Sequence, residues 1–148
     1  MIIRSAPKVL LISLLTFGSI LATGAETEST LDVRGQRFPV IAGCGQNDYV
    51  FVDAPEVKVE LSNVEGGRGY YPHCLKVRRG TKVSIPGTEH HPILAMGDMR
   101  GVVNPFPSQV AAQAPAVRKL DQPGFYGYYC VFHSDATGNG MAGMIIVE

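Results

Sequence analysis

From residue 26 onward the chain reads as short apolar or alternating runs broken by Gly and Pro, with no long helical pattern anywhere. The full sequence has 17 Gly and 10 Pro in 148 residues. Both residues punctuate secondary structure, Gly by reaching left-handed backbone and Pro by removing an N–H. Residues 38–42, 49–52 and 57–61 are the first runs. Val57-Lys58-Val59-Glu60-Leu61 has the period of two that a half-buried strand requires. Residues 63–69 are Gly-rich and read as a loop. Leu75-Lys76-Val77-Arg78 alternates again, Arg79-Gly80-Thr81 turns the chain, and Lys82-Val83-Ser84-Ile85 follows, closed by Pro86-Gly87. Between 96 and 115 the pattern fails. Asn104-Pro105-Phe106-Pro107 is a rigid loop, and residues 108–114 have room for one or two helical turns capped by Ser108. Residues 116–120, 124–130 and 144–147 complete the set. Seven or eight short strands with at most a short helix predict an all-β sandwich.

The N-terminus carries a different signal. Arg4 and Lys8 precede a mostly apolar run over 9–22, and Thr23-Gly24-Ala25 supplies small residues. Residues 1–25 read as a secretory signal peptide, too short and wrongly flanked for a membrane span. Residues 26–148 then form one domain. Without Arg4 and Lys8 that domain has eleven basic residues against thirteen acidic ones. No basic stripe marks it for nucleic acid. Export implies a periplasmic or secreted protein in an oxidising space, where disulfides persist.

Three cysteines are present, Cys44, Cys74 and Cys130. An odd count in an exported protein leaves one thiol over. The economical division bridges Cys44 to Cys74 and leaves Cys130 free. A disulfide through Cys130 is the opposing reading, and it would remove the chemistry described next.

Cys130, His133 and Met141 lie within twelve residues of one another, just before the last apolar run. Further upstream stand the adjacent His90 and His91. A thiolate, imidazoles and a thioether form a soft donor set that favours copper over magnesium, calcium or manganese. A lone buried Cys is commonly inert packing, but packing does not call for a His three residues later. Neighbouring side chains of an extended segment point to opposite faces, so one of His90 and His91 reaches the site. His91, followed by Pro92, is the expected ligand and His90 the alternative. Met141, flanked by Gly140 and Ala142-Gly143, is favoured over Met144, which begins the apolar run 144–147 and fits a core role. Asp135 is read as a turn residue, and His73 as a surface residue outside the site.

Tyr129-Cys130-Val131-Phe132-His133 followed by Gly140-Met141-Ala142-Gly143-Met144-Ile145-Ile146-Val147 resembles the C-terminal copper loop of the cupredoxins, the plastocyanin and azurin family. The stretch 71–83, Tyr71-Pro72-His73-Cys74 through Lys82-Val83, resembles the strand–turn–strand that leads to that family's first copper His. The likeness covers roughly residues 70–148. It implies a Greek-key β-sandwich holding one type 1 (blue) copper, with His91, Cys130 and His133 near a plane and Met141 as a weak axial donor. It further implies a carrier of single electrons rather than an enzyme, monomeric, docking transiently with exported redox proteins such as a cytochrome or copper oxidase. His133 would be the electron port, with Phe132, Pro92 and Met144 lining or supporting it. Two features depart from the family. Seven residues separate His133 from Met141, so the copper loop should be longer and bulge over 134–139. Pro92 stands where many members have Asn. Rival readings are a copper-delivery or copper-buffering protein of the same fold, a metal-free β-sandwich adhesion or interaction module, and a small domain of a larger copper enzyme.

Overall fold

A computed structural model of the chain describes residues 40–64, 67–108 and 115–148. The expected signal peptide and the expected helical turns over 109–114 lie outside the described residues. Ten strands are present among the described residues: β1 (Val50–Val52), β2 (Glu56–Lys58), β3 (Glu60–Val64), β4 (Gly67–Tyr71), β5 (Cys74–Val77), β6 (Thr81–Ile85), β7 (Ile93–Ala95), β8 (Ala116–Leu120), β9 (Gly124–Ser134) and β10 (Gly140–Val147). The all-β expectation holds, with more strands than the seven or eight read from the sequence. The run 57–61 is two strands, β2 and β3, and the Gly-rich 63–69 contributes to β3 and β4 as a hairpin rather than a free loop. Residues 40–42 form no strand but enter a tight turn, Ile41 to Cys44.

The strands form a mixed five-stranded sheet in the order β1-β5-β10-β9-β7, a three-stranded sheet β2-β6-β8, and the β3–β4 hairpin. In the large sheet β5 runs parallel to both β1 and β10, while β9 is antiparallel to β10 and β7. Side chains alternate across a strand, and the two faces of this sheet have different jobs. Leu75, Val77, Ile145, Val147, Tyr126, Tyr128 and Cys130 face Val57, Val83, Ile85, Ala116 and Leu120 of the smaller sheet in one buried cluster. The opposite face carries Phe125, Met144 and the Cys44–Cys74 bridge, covered by Ile41, Ala42, Tyr49 and Met99. The expected pairing of Cys44 with Cys74 is therefore the observed one, and Cys130 is free.

Glycines permit the closest approaches between these layers. A Cβ on Gly143 would fall 2.4 Å from Cζ and Oη of Tyr128, whose ring meets Tyr70 edge-on at 5.0 Å between centroids. With Tyr70 and Phe106 both against it, the Tyr128 ring cannot swing away without disturbing the core. Gly143→Ala should therefore cost about 1–3 kcal/mol, the usual range for an overpacked interior. A lowered denaturant midpoint at unchanged slope would show it; an unchanged midpoint would mean the ring moves freely.

Candidate metal centre

The site grows out of an interruption in the β9–β10 ladder. Ala142 pairs with Tyr129 and Gly140 with Ser134, with a register shift between Gly140 and Ala142. Residues 130–133 of β9 thus stand opposite a single residue of β10, Met141. Surplus residues in one strand bend it and re-aim its side chains. Here the surplus brings Cys130 and His133 to one point: Cys130 Sγ lies 3.3 Å from His133 Nδ1.

His91 arrives from the other edge of β9. Ile93 of β7 pairs with Cys130, so His91, two residues before Ile93, shares the core-facing side. A tight turn delivers it. The His91 N–H donates to the Thr88 carbonyl and hydroxyl, each at 3.1 Å, and the Thr88 N–H donates back to the His91 carbonyl at 3.2 Å. Glu89 and His90 form the tip of that turn. His90 consequently points to solvent, its side chain 81% exposed and paired with Glu89 at 3.3 Å. His91 is buried, with Nδ1 3.8 Å from Cys130 Sγ. Pro92 has no N–H to place, but its carbonyl accepts from Val131 at 3.0 Å and ties the turn to β9.

One donor atom from each of His91, Cys130 and His133 lies within 4.8 Å of the others. The two imidazole rings are 4.8 Å apart between centroids. Cys130 is fully buried and His133 exposed, so the donor set runs from the core to the surface. Met141 is buried in the same cluster as Cys130, opposite it across the ladder interruption. Desolvation holds the His91 pKa below the ordinary histidine value. The neighbouring His133, Arg68 and His90 push in the same direction. Both effects favour the neutral imidazole, the form a metal needs. A thiol and two imidazoles gathered at one point, with a thioether in the same buried cluster, form a donor set that suits copper, so the residues present fit the group the sequence implies.

Between His133 and Met141 the long loop is tightly organised. Asp135 is its hub: Oδ1 accepts from the Thr137 hydroxyl and from the Thr137 and Asn139 N–H groups at 2.9 and 3.2 Å, and Oδ2 from Asn139 Nδ2 at 3.1 Å. These bonds, those of Thr137 and Asn139 side chains foremost, pull the Asp135 pKa down to about 2. Asp135 is the turn residue expected of it, and the loop closes on itself. Gly140, at φ +94°, crosses the His133 carbonyl so closely that a Cβ would lie 2.3 Å from that oxygen. Reading the sequence alone missed this role. The Gly138-Asn139-Gly140 triplet was its available signal.

The residues expected to line or support the port differ in exposure. Phe132 (64% exposed) and His133 do lie at the surface, but Pro92 is buried and Met144 is 0% exposed. Met144 is paired with Gly127 and shares its face, the side of the sheet opposite Cys130, so it does not line a patch beside His133. His73 is exposed. Its ring nitrogen lies beside Cys44 and Cys74, but both sulfurs are consumed in their bridge.

No protein-family model and no curated protein matches this sequence. Solved structures do. Pseudoazurin from Methylobacterium extorquens AM1 shares 23% identity over 62% of this chain and 74% of its own, at a TM-score of 0.48. Plastocyanin from Dryopteris crassirhizoma shares 22% over 62% of this chain and 100% of its own, at 0.44. Rusticyanin from Thiobacillus ferrooxidans shares 18% over 73% and 87%, at 0.44. The resemblance to cupredoxins drawn from the C-terminal motif is met by the chain's own architecture, an all-β mixed-sheet fold with His91, Cys130 and His133 gathered at one point.

The geometry separates the adjacent histidines. His91→Ala should weaken copper binding beyond the about 10–100-fold typical of losing a mere supporting partner, while His90→Ala should leave it unchanged. Competition titration against a chelator measures both, and equal effects would show that the turn at Thr88 does not select His91.

Proposed function

We propose that this chain is an exported type 1 copper protein that carries single electrons between redox partners. The observation that carries the proposal is the convergence of one buried thiol and two imidazoles, one buried and one exposed, with a buried thioether opposite. Copper bound there supplies a one-electron couple. The protein's own residues do the rest. Cys130 gives up its proton to bind as thiolate, and its seat in the core limits access by water. His91 is fixed by the Thr88 turn and His133 by the loop closed on Asp135, so neither donor needs to move far when the charge changes. Met141, as a weak donor, sets the potential together with the apolar surroundings of the Cys130 sulfur.

The exposed imidazole of His133 beside exposed Phe132 supports a surface port at which electrons enter and leave. Redox encounters use small, short-lived interfaces. The partner proposed is an exported redox protein, such as a cytochrome or a copper oxidase, in the periplasm or outside the cell, with the chain acting as a monomer. No general base or substrate pocket enters this reading, which is that of a carrier and not of an enzyme. A copper-delivery protein would instead need a readily exchangeable ion, which a donor deep in the core opposes.

Adding copper(II) should produce intense visible absorption from thiolate-to-copper charge transfer, reversibly bleached on reduction and absent in Cys130→Ser. Weak, chelator-labile binding would favour delivery, and no binding would leave an interaction module. Met141→Leu should keep the copper and raise its reduction potential, as expected when a weak donor is removed. Phe132→Glu should slow electron exchange with a partner while sparing the absorption. An unchanged exchange rate would move the port elsewhere.

A further inference from the structure

The copper loop is braced from outside the site. Gly138, buried at the middle of the 135–140 segment with φ +90°, packs directly on the backbone of Ala42. A Cβ there would lie 2.7 Å from Ala42 N, 3.2 Å from Ala42 Cα and 3.2 Å from Ile41 Cγ2. Ala42 belongs to the turn closed by the Cys44 N–H donating to the Ile41 carbonyl at 2.9 Å. Ala42 and Gly43 both have left-handed backbone there, at φ +56° and +71°. A left-handed alanine is uncommon and persists where its surroundings over-determine it. The surroundings here are the loop on one side and, on the other, the Cys44–Cys74 bridge.

That bridge returns to the site. Cys74 on β5 is paired with Met144 on β10, and the His73 carbonyl accepts from the Met144 N–H at 2.7 Å. Met144 lies three residues beyond Met141. The chain thus makes a closed circuit: from His133 through the Asp135 loop to Gly138, across to Ala42, along to Cys44, through the disulfide to Cys74, and by β10 back to Met141.

We infer that the turn from Ile41 to Cys44, riveted to β5 by the disulfide, is a backstop that positions the 135–140 loop and through it the exposed donor His133. The inference rests on reading His133 as a copper ligand. It makes Ala42, Cys44, Cys74 and Gly138 positioning residues for a site that none of them touches. Seven residues separate His133 from Met141, and a longer loop has more freedom to lose.

The test has a metal-free arm and a copper-loaded arm. In the metal-free protein, the Thr137, Gly138 and Asn139 N–H groups are held by Asp135, and their hydrogen exchange reports the loop. The double variant Cys44→Ser, Cys74→Ser should exchange them at least about tenfold faster, with the β6–β8 ladder unchanged. Gly138→Ala, which keeps the bridge but pushes the loop off Ala42, should do the same and serves if the double variant fails to fold. In the copper-loaded protein both variants should shift the relative intensities of the charge-transfer bands and the reduction potential. Thr81→Ala, which loses the hydroxyl bond to the Ala54 carbonyl at the start of β6, should lower stability without shifting either. Unchanged exchange in Gly138→Ala, or an equal spectral shift in Thr81→Ala, overturns the inference. A wild-type protein with no charge-transfer band would instead defeat the functional reading, and the exchange arm would still decide the backstop.

Discussion

The mismatch between β9 and β10, four residues facing one, is the constraint on which the site depends. An unbroken antiparallel ladder would send Cys130 and His133, three apart, to opposite faces of the sheet. The interruption removes that alternation over residues 130–133 and lets both side chains reach one point. It also leaves Met141 alone across from them. The rest of the structure holds this irregularity still. β7 pins Cys130 through Ile93, Pro92 ties down Val131, and the Asp135 loop closes the open end.

The sandwich gives the two ends of the donor set different surroundings. Cys130 sits in the shared core of both sheets beside Tyr70 and Tyr128, where an apolar setting and restricted solvent tune a metal–sulfur bond. His133 stands at the surface with Phe132. A site buried at its sulfur and open at one imidazole suits charge transfer without exchange of the ion. The second apolar cluster, on the outer face of the large sheet, gives the disulfide and Met144 a place in the account. Met144 belongs to the packing behind the site and not to its surface.

Much of this was legible in the sequence because the relevant signals are local. Cys130, His133 and Met141 fall within one hairpin, so their spacing carried the chemistry. The divergence of neighbouring side chains required only that one of His90 and His91 reach the site, and the turn at Thr88 supplies the physical reason that His91 is the buried one. β6, with clean alternation, and β8, with its basic outer face, were found nearly to the residue. What stayed hidden depends on contacts distant in sequence. Gly-rich β4 lacks alternation and is a strand only because β3 pairs with it. The short β7 is defined by β9. The burial of Pro92 follows from its carbonyl bond to Val131, and the contact of Gly138 with Ala42 joins residues nearly a hundred positions apart.

The central claim is that the Cys130 sulfur and the imidazoles of His91 and His133 bind a single copper ion. Copper-edge X-ray absorption on the protein loaded with one equivalent tests it most directly. The account predicts one short copper–sulfur path together with two imidazole nitrogen paths. A spectrum fitted by nitrogen and oxygen neighbours alone, with no sulfur at bonding distance, would contradict it.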